Sequence, residues 1–311
     1  MEPFAQLPFE ALPERPRVAH GFFDVPARQV PVWTEHFGDT TAQVRVLGSG
    51  PPLLLVHGLM TTSYSFRYVI EPLARDFTVY VPDLVGAGGS SRPRVSYPPD
   101  AIVDWLDQLV AALGVRGCGV IGNSMGGYLA LAWALRHPAA MRRLLVVHAP
   151  LLPTPRLYAL WAALRVPGAY RLLRRLVQRD PERWVHHNVH YWDETLKSRE
   201  ETRAYGDPLA TDSGMYGFYR HLRDTMDVRH VRRLWRALQA RSSVGAHLPL
   251  PVRFLYARRD PMVPPQTGTA LLRALPEVDL DWVEQGSHFA HVDAVDAFLT
   301  SAGSFFAPGA R

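Results

Sequence analysis

Three side chains, far apart in the sequence, have the types and order needed for nucleophilic acyl chemistry. Gly122-Asn123-Ser124-Met125-Gly126 sets a serine between two glycines, after the apolar run Gly119–Ile121 and before a helix expected over Met125–Arg136. A serine on a sharp strand-to-helix turn sits in a strained backbone, so its neighbours two before and two after must be small. The helix N-terminus beneath it favours developing negative charge. Without that context, the same stretch is a glycine-rich turn carrying an inert serine. A hydroxyl is a weak nucleophile unless a base takes its proton. His288, in Gly286-Ser287-His288-Phe289, follows the last expected strand and is the expected base. His291 competes for that role, but it falls in the first turn of the next helix and is less free to reach the serine. The base in turn needs an orienting carboxylate. Asp260 follows Val252–Tyr256 at a strand's C-terminal edge, where sites of open α/β sheets gather. Its alternative is an aspartate shaping the turn before Pro261. The main-chain N–H groups of Leu59, in His57-Gly58-Leu59-Met60, and of Met125 are the expected oxyanion donors. His57 is expected to hold its loop by hydrogen bonds rather than to act as a base. Asp83 and Asp104 are alternative acids that read as structural loop and helix residues.

The elements around these residues set the fold class. Pro52–His57, Phe77–Val81, Gly119–Ile121, Leu144–Val147, Val252–Tyr256 and Leu280–Val283 are apolar runs suited to strands buried on both faces. Between them lie helical patterns at Phe66–Ala74, Pro99–Leu113, Met125–Arg136, Gln266–Leu275 and Val292–Phe305. Strand alternating with helix means an α/β fold, with a mostly parallel twisted sheet flanked by helices. Val30–Trp33 and Ala42–Leu47 alternate as a further pair of strands, with Gly38–Thr41 as the expected turn. The alternation stops after Leu151 and returns near Leu250, leaving a helical stretch rich in arginine and aromatics. The expected organisation is an extension over 1–28, a core over 29–150, a helical insertion over 151–245 and the rest of the core over 246–311.

Composition narrows the function classes. The chain has 311 residues, 47% hydrophobic and 20% charged, values of an ordinary globular protein. Its single cysteine, Cys118, excludes an internal disulfide framework and any multi-cysteine zinc site. No apolar stretch approaches the roughly 18–20 residues of a membrane span, and residues 1–9 lack a signal-peptide pattern, so a cytoplasmic protein without stable membrane insertion is expected. The formal net charge is +5. Residues 151–245 hold 17 basic and 10 acidic side chains, a net +7, and the remainder 17 and 19, a net −2. The basicity therefore belongs to the helical stretch. No basic run or motif points to nucleic acid. Leu157–Val177 is basic and amphipathic and could touch a membrane surface; the plainer expectation is a helix whose apolar face packs on the core. His186, His187 and His190 lack the neighbours of a metal site and read as a polar helix face.

Four landmarks, in order, carry a resemblance. They are His57-Gly58, the segment from Pro82-Asp83 to Gly89-Ser90, Gly122-Asn123-Ser124-Met125-Gly126-Gly127, and Asp260 followed by Gly286-Ser287-His288. From about Val30 onward the sequence resembles the α/β-hydrolase superfamily of the fold-1 type. The resemblance implies an inserted α-helical cap at residues 151–245 and a Ser124–His288–Asp260 triad. The stretch His57–Arg67 looks like the loop of haloalkane dehalogenases and epoxide hydrolases, which use aspartate where this chain has Ser124. The elbow around Ser124 is similar to that of the meta-cleavage-product hydrolases, which have a more glycine-rich oxyanion loop and a tryptophan where this chain has Phe289. The expected function is a serine hydrolase acting on a small, largely apolar carboxylic ester through an acyl-enzyme, without metal or organic cofactor. Carbon–carbon bond hydrolysis and lactone hydrolysis are alternatives. A ligand-binding protein of the same fold with little turnover is an alternative of another class. The sequence sets neither the substrate nor the oligomeric state.

Overall fold

A computed structural model describes residues 2–307. Its strands are β1 (Ala27–Thr34), β2 (Gly38–Leu47), β3 (Pro52–Val56), β4 (Thr78–Pro82), β5 (Cys118–Asn123), β6 (Met141–Val147), β7 (Val252–Ala257) and β8 (Asp279–Val283). The helices are α1 (Ile70–Leu73), α2 (Pro99–Leu113), α3 (Met125–Arg136), α4 (Pro155–Ala163), α5 (Ala169–Arg179), α6 (Pro181–Asn188), α7 (Arg199–Ala210), α8 (Asp212–Arg220), α9 (Val228–Ser243), α10 (Gln266–Ala274), α11 (Ala290–Asp293) and α12 (Val295–Phe306). The strands form one sheet in the order β1-β2-β4-β3-β5-β6-β7-β8. Pairings β1–β2 and β2–β4 are antiparallel and the others parallel. The chain goes from β3 to one neighbour, β4, then returns to the other side at β5. The order therefore reverses between β3 and β5, and a crevice opens beyond their C-terminal ends, the place where open α/β sheets bind ligands.

The central strands are buried on both faces, and their side chains alternate between two apolar layers. Leu54, Val56, Val120, Val146 and Phe254 join one layer. Leu53, Leu55, Ile121, Val147 and Leu255 join the other. Complete burial of each such side chain contributes about 1.5–3 kcal/mol relative to exposure. Helix α3 is buried nearly all round, from Met125 to Ala134, and fixes β5 against the sheet.

Three element boundaries differ from expectation. Gly38 pairs with Thr34 and opens β2, so the hairpin turn is residues 35–37 rather than Gly38–Thr41. Gly38 supplies the left-handed φ of 67° that closes the turn, and the β-branched Thr40 and Thr41 favour the strand. The expected helix Phe66–Ala74 is a 3-10 turn at Ser63–Phe66 followed by α1. Pro72 has no N–H with which to continue a helix begun at Phe66. The last expected helix is broken at Ala294 into α11 and α12.

Helices α4 to α9 lie between β6 and β7. Their burial is slight at the start, where α4 has no buried residue, so local sequence must define their ends. Thr154, Asp180, Ser198, Thr211 and Asp227 each accept a main-chain N–H at a helix start. Residues 2–26 run along these helices: Arg199 N–H donates to Pro13 O, and Glu200 N–H to Glu14 O. Phe22 and Val25 plug into the second apolar layer.

Candidate active site

Ser124 is the turn between β5 and α3, at φ 55° and ψ −120°, a conformation rare for any residue with a side chain. Its glycine neighbours are required by contact. A Cβ on Gly126 would lie 2.3 Å from Val56 O and 2.5 Å from His57 O, and one on Gly122 2.6 Å from Gly126 O. These are main-chain atoms that cannot swing aside. Ser124 N–H donates to Val147 O at 2.8 Å and Ser124 O accepts from Tyr128 N–H at 3.0 Å, so the strain is held from both sides.

Ser124 and His288 line the same cavity, of about 620 Å³, at the crevice beyond β3 and β5. His288 Nδ1–H donates to Asp260 Oδ2 at 2.7 Å, both side chains being buried. That bond fixes the tautomer and leaves Nε2 to take a proton. Asp260 Oδ1 accepts the N–H groups of Met262 and Val263 at 2.7 and 2.9 Å. The turn-shaping and histidine-orienting readings of Asp260 are therefore both present, one on each oxygen. Burial pushes the Asp260 carboxyl up, but its interaction and hydrogen bond with His288 prevail and hold it below its ordinary value.

Leu59 lines the cavity, and Gly58 before it lets the loop close on the elbow, since a Cβ there would lie 3.1 Å from Ser124 Cβ. Met125 opens α3, where the first N–H groups of a helix have no intrahelical acceptor. His57 is fully buried with both nitrogens engaged: Nε2 accepts Leu84 N–H at 2.9 Å and Nδ1–H donates to Gly58 O at 2.8 Å. Burial holds it neutral. Asp83 accepts from Ser63, Gly89 and Gln43 and knits the loop after β4, while Asp104 pairs with Arg136 on the helix surface. His291 is fully buried on α11, 4.9 Å from the Phe66 ring, and does not line the cavity. His186 bonds Leu7 O and His190 approaches Glu194. Among the described residues, no group of three or more His, Cys, Asp or Glu is placed to hold a metal.

Two further positions at the site carry no mark of their role in the sequence. Asn123 Nδ2–H donates to His288 O at 3.1 Å, tying the histidine loop to the elbow. His148, one residue past β6, sits at φ 48° with its ring 5.6 Å from that of His288. Its Nε2 accepts Ala257 N–H at 2.9 Å, and burial, against the pull of Asp260, lowers its pKa to about 3. A neutral ring in that position brings no cation to the His288–Asp260 pair.

The cavity wall is largely apolar, with Leu160, Leu173, Trp184, Phe218 and Phe289 among its members and Arg156 its one arginine. That volume and lining suit a small organic ligand.

The model of a family described as the α/β hydrolase fold matches residues 51–295. An uncharacterized protein of Mycobacterium tuberculosis is 37% identical over 105 residues, 34% of this chain and 31% of that one. The chain thus matches about a third of the length of that relative. The 2-hydroxymuconate semialdehyde hydrolase of Pseudomonas sp. strain CF600 is 27% identical over 266 residues, covering 84% of this chain and 88% of that one. Among solved structures, the epoxide hydrolase CorEH superposes with a TM-score of 0.75 at 21% identity, covering 91% of this chain and 99% of that one. The sheet order, the strained turn at the switch point and the match over most of the chain agree: this protein belongs to the α/β-hydrolase fold family.

Proposed function

We propose that the protein is a serine hydrolase that cleaves carboxylic esters with a large apolar part through an acyl-enzyme. Ser124 Oγ attacks the acyl carbon as His288 Nε2 takes its proton, and Asp260 stabilises the imidazolium. The N–H groups of Leu59 and Met125 receive the oxyanion. His288 then protonates the leaving alcohol, and in the second half-reaction it deprotonates the water that frees the acid. Helices α4 to α9 act as a cap over the cavity. The observation that carries this reading is the 2.7 Å His288–Asp260 bond in a cavity shared with a serine held at φ 55°. A serine nucleophile forms an ester with an acyl carbon. Opening an epoxide would instead leave it an ether that water does not cleave, so the likeness to an epoxide hydrolase is read as a likeness of fold.

One observation favours a second reading, carbon–carbon bond hydrolysis. The Pseudomonas relative aligns over most of both chains. A ring-fission substrate carries a carboxylate. Arg156 is the one arginine or lysine of the lining that could meet it, and it already donates to Pro261 O at 3.3 Å. A panel of p-nitrophenyl esters of increasing acyl length, assayed beside a ring-fission dienoate, separates the two. The ester reading expects kcat/KM to rise with acyl length and Ser124→Ala to lower it by at least about 10⁴-fold. Faster cleavage of the dienoate than of the best ester replaces it with the second reading.

A further inference from the structure

Helices α4 and α5 form part of the cavity wall, which Arg156, Leu157, Leu160 and Leu173 line. Their outward side carries exposed apolar and basic residues together. On α5, Tyr170, Leu173, Arg174, Val177 and Gln178 turn inward or are half-buried, as the expected core-facing stripe. Leu172 and Leu176, one helical turn apart, are 62% and 54% exposed, and Val166 in the turn before α5 is 59% exposed. The apolar residues of this stretch therefore do not all face the core, contrary to expectation. Beside the two leucines runs a stripe of Arg171, Arg175 and Arg179, spaced four apart and all exposed. None of these three has an ion-pair partner among the described residues, whereas Arg165 and Arg174 are paired with Asp227 and Asp212. Residues 151–179 hold six arginines and no acid.

We propose that this face docks on an anionic phospholipid bilayer, with the leucines and Val166 entering the headgroup layer and the arginine stripe meeting the phosphates. A basic helix with protruding leucines lying flat in an interface has this chemistry. The charge also decides against a second copy of the chain, because a two-fold contact through this face would bring the two arginine stripes together. Docking sets the α4–α5 wall of the cavity at the lipid, the phase that holds apolar esters. That consequence rests on the ester-hydrolase reading; the docking itself does not.

The test is sedimentation of the full chain with vesicles of phosphatidylcholine alone, or with roughly a third phosphatidylglycerol. Each arginine near an anionic surface contributes about fivefold in partitioning, so the R171Q/R175Q/R179Q variant should bind the anionic vesicles about 100-fold less tightly. L172S/L176S should weaken the same binding, and added salt should weaken the wild type. Neither variant should change turnover of a short, water-soluble ester, which checks their folding. Ser124→Ala should bind as the wild type does, so a failure of docking and a failure of the hydrolase reading are told apart. Absence of vesicle binding, equal binding to both vesicle types, or conversion of a dimer to a monomer by L172S/L176S without a vesicle effect would overturn the proposal.

Discussion

Glu201→Gln should destabilise the protein by about 3–5 kcal/mol, the cost of leaving a buried cation without its counter-charge. Arg67, in the loop after β3, and Glu201, on α7, are both essentially inaccessible and form an ion pair between the sheet core and the inserted helices. The guanidinium also lies 4.6 Å from the Tyr64 ring centroid and 4.5 Å from that of Tyr68, and Tyr191 O–H donates to Glu201 Oε2 at 2.8 Å. Burial opposes the charge on Arg67, but the Glu201 carboxylate more than offsets it, so the guanidinium holds its proton more tightly than in water. Glutamine keeps the shape and the acceptor for Tyr191 but removes the charge. Unfolding entropy for a chain of 311 residues is about 0.65 kcal/mol/K, so a loss of 4 kcal/mol lowers Tm by about 6 °C. Removing both charges in R67M/E201Q should recover most of the loss, since an apolar replacement of a buried pair is often near neutral. Urea unfolding of the four proteins of this cycle gives the coupling energy, expected at about 2 kcal/mol or more. A cost below about 1 kcal/mol for Glu201→Gln, with no coupling, would refute the claim that this pair fastens the insertion to the core.

Gly126→Ala should cost about 3 kcal/mol or more in urea unfolding, because its Cβ meets two main-chain oxygens. Gly303→Ala, on the exposed side of α12 with open space around it, should instead stabilise by about 0.5–1 kcal/mol. Equal effects at the two sites would contradict the packing argument. Asp293 accepts from Trp192 N–H and Ser287 N–H, and burial raises its pKa to about 6 in spite of them. The folded state then binds this proton more tightly than the unfolded state, so the group's contribution is greatest below pH 4 and is lost as pH rises through 6. The stability of the wild type relative to D293N should fall by up to about 3 kcal/mol between pH 4 and 7, and a difference independent of pH would refute the assignment.

The features legible in the sequence were those set by neighbouring residues. Leu53–Val56 and Leu144–Val147 read as buried strands because the apolar runs are short and bounded by turn residues, Pro51-Pro52 and Gly58 around the first and Pro150 after the second. Gly122, Ser124 and Gly126 read as a sharp turn because their small size is a local demand. Boundaries failed where a single residue decides them: Gly38 closes a turn instead of opening one, and Pro72 bars a helix begun at Phe66 yet fits the first turn of one begun at Ile70. The remaining site features depend on partners far away along the chain. His148 meets Ala257 across 109 residues and Asn123 meets His288 across 165. Nothing near either residue marks it, since the meeting is produced by the order of the strands. The outward leucines of α5 were unreadable for the same reason: periodicity shows that a helix has an apolar stripe, not which neighbour covers it.

The central claim is that Ser124 is a nucleophile activated by His288. The direct measurement is the intact mass of the protein, and of its peptides, after reaction with a fluorophosphonate. The account predicts one adduct, on Ser124, with labelling slowed at least about 10³-fold in His288→Ala and absent in Ser124→Ala. An unmodified Ser124 in folded wild-type protein, or labelling as fast in His288→Ala, would contradict it.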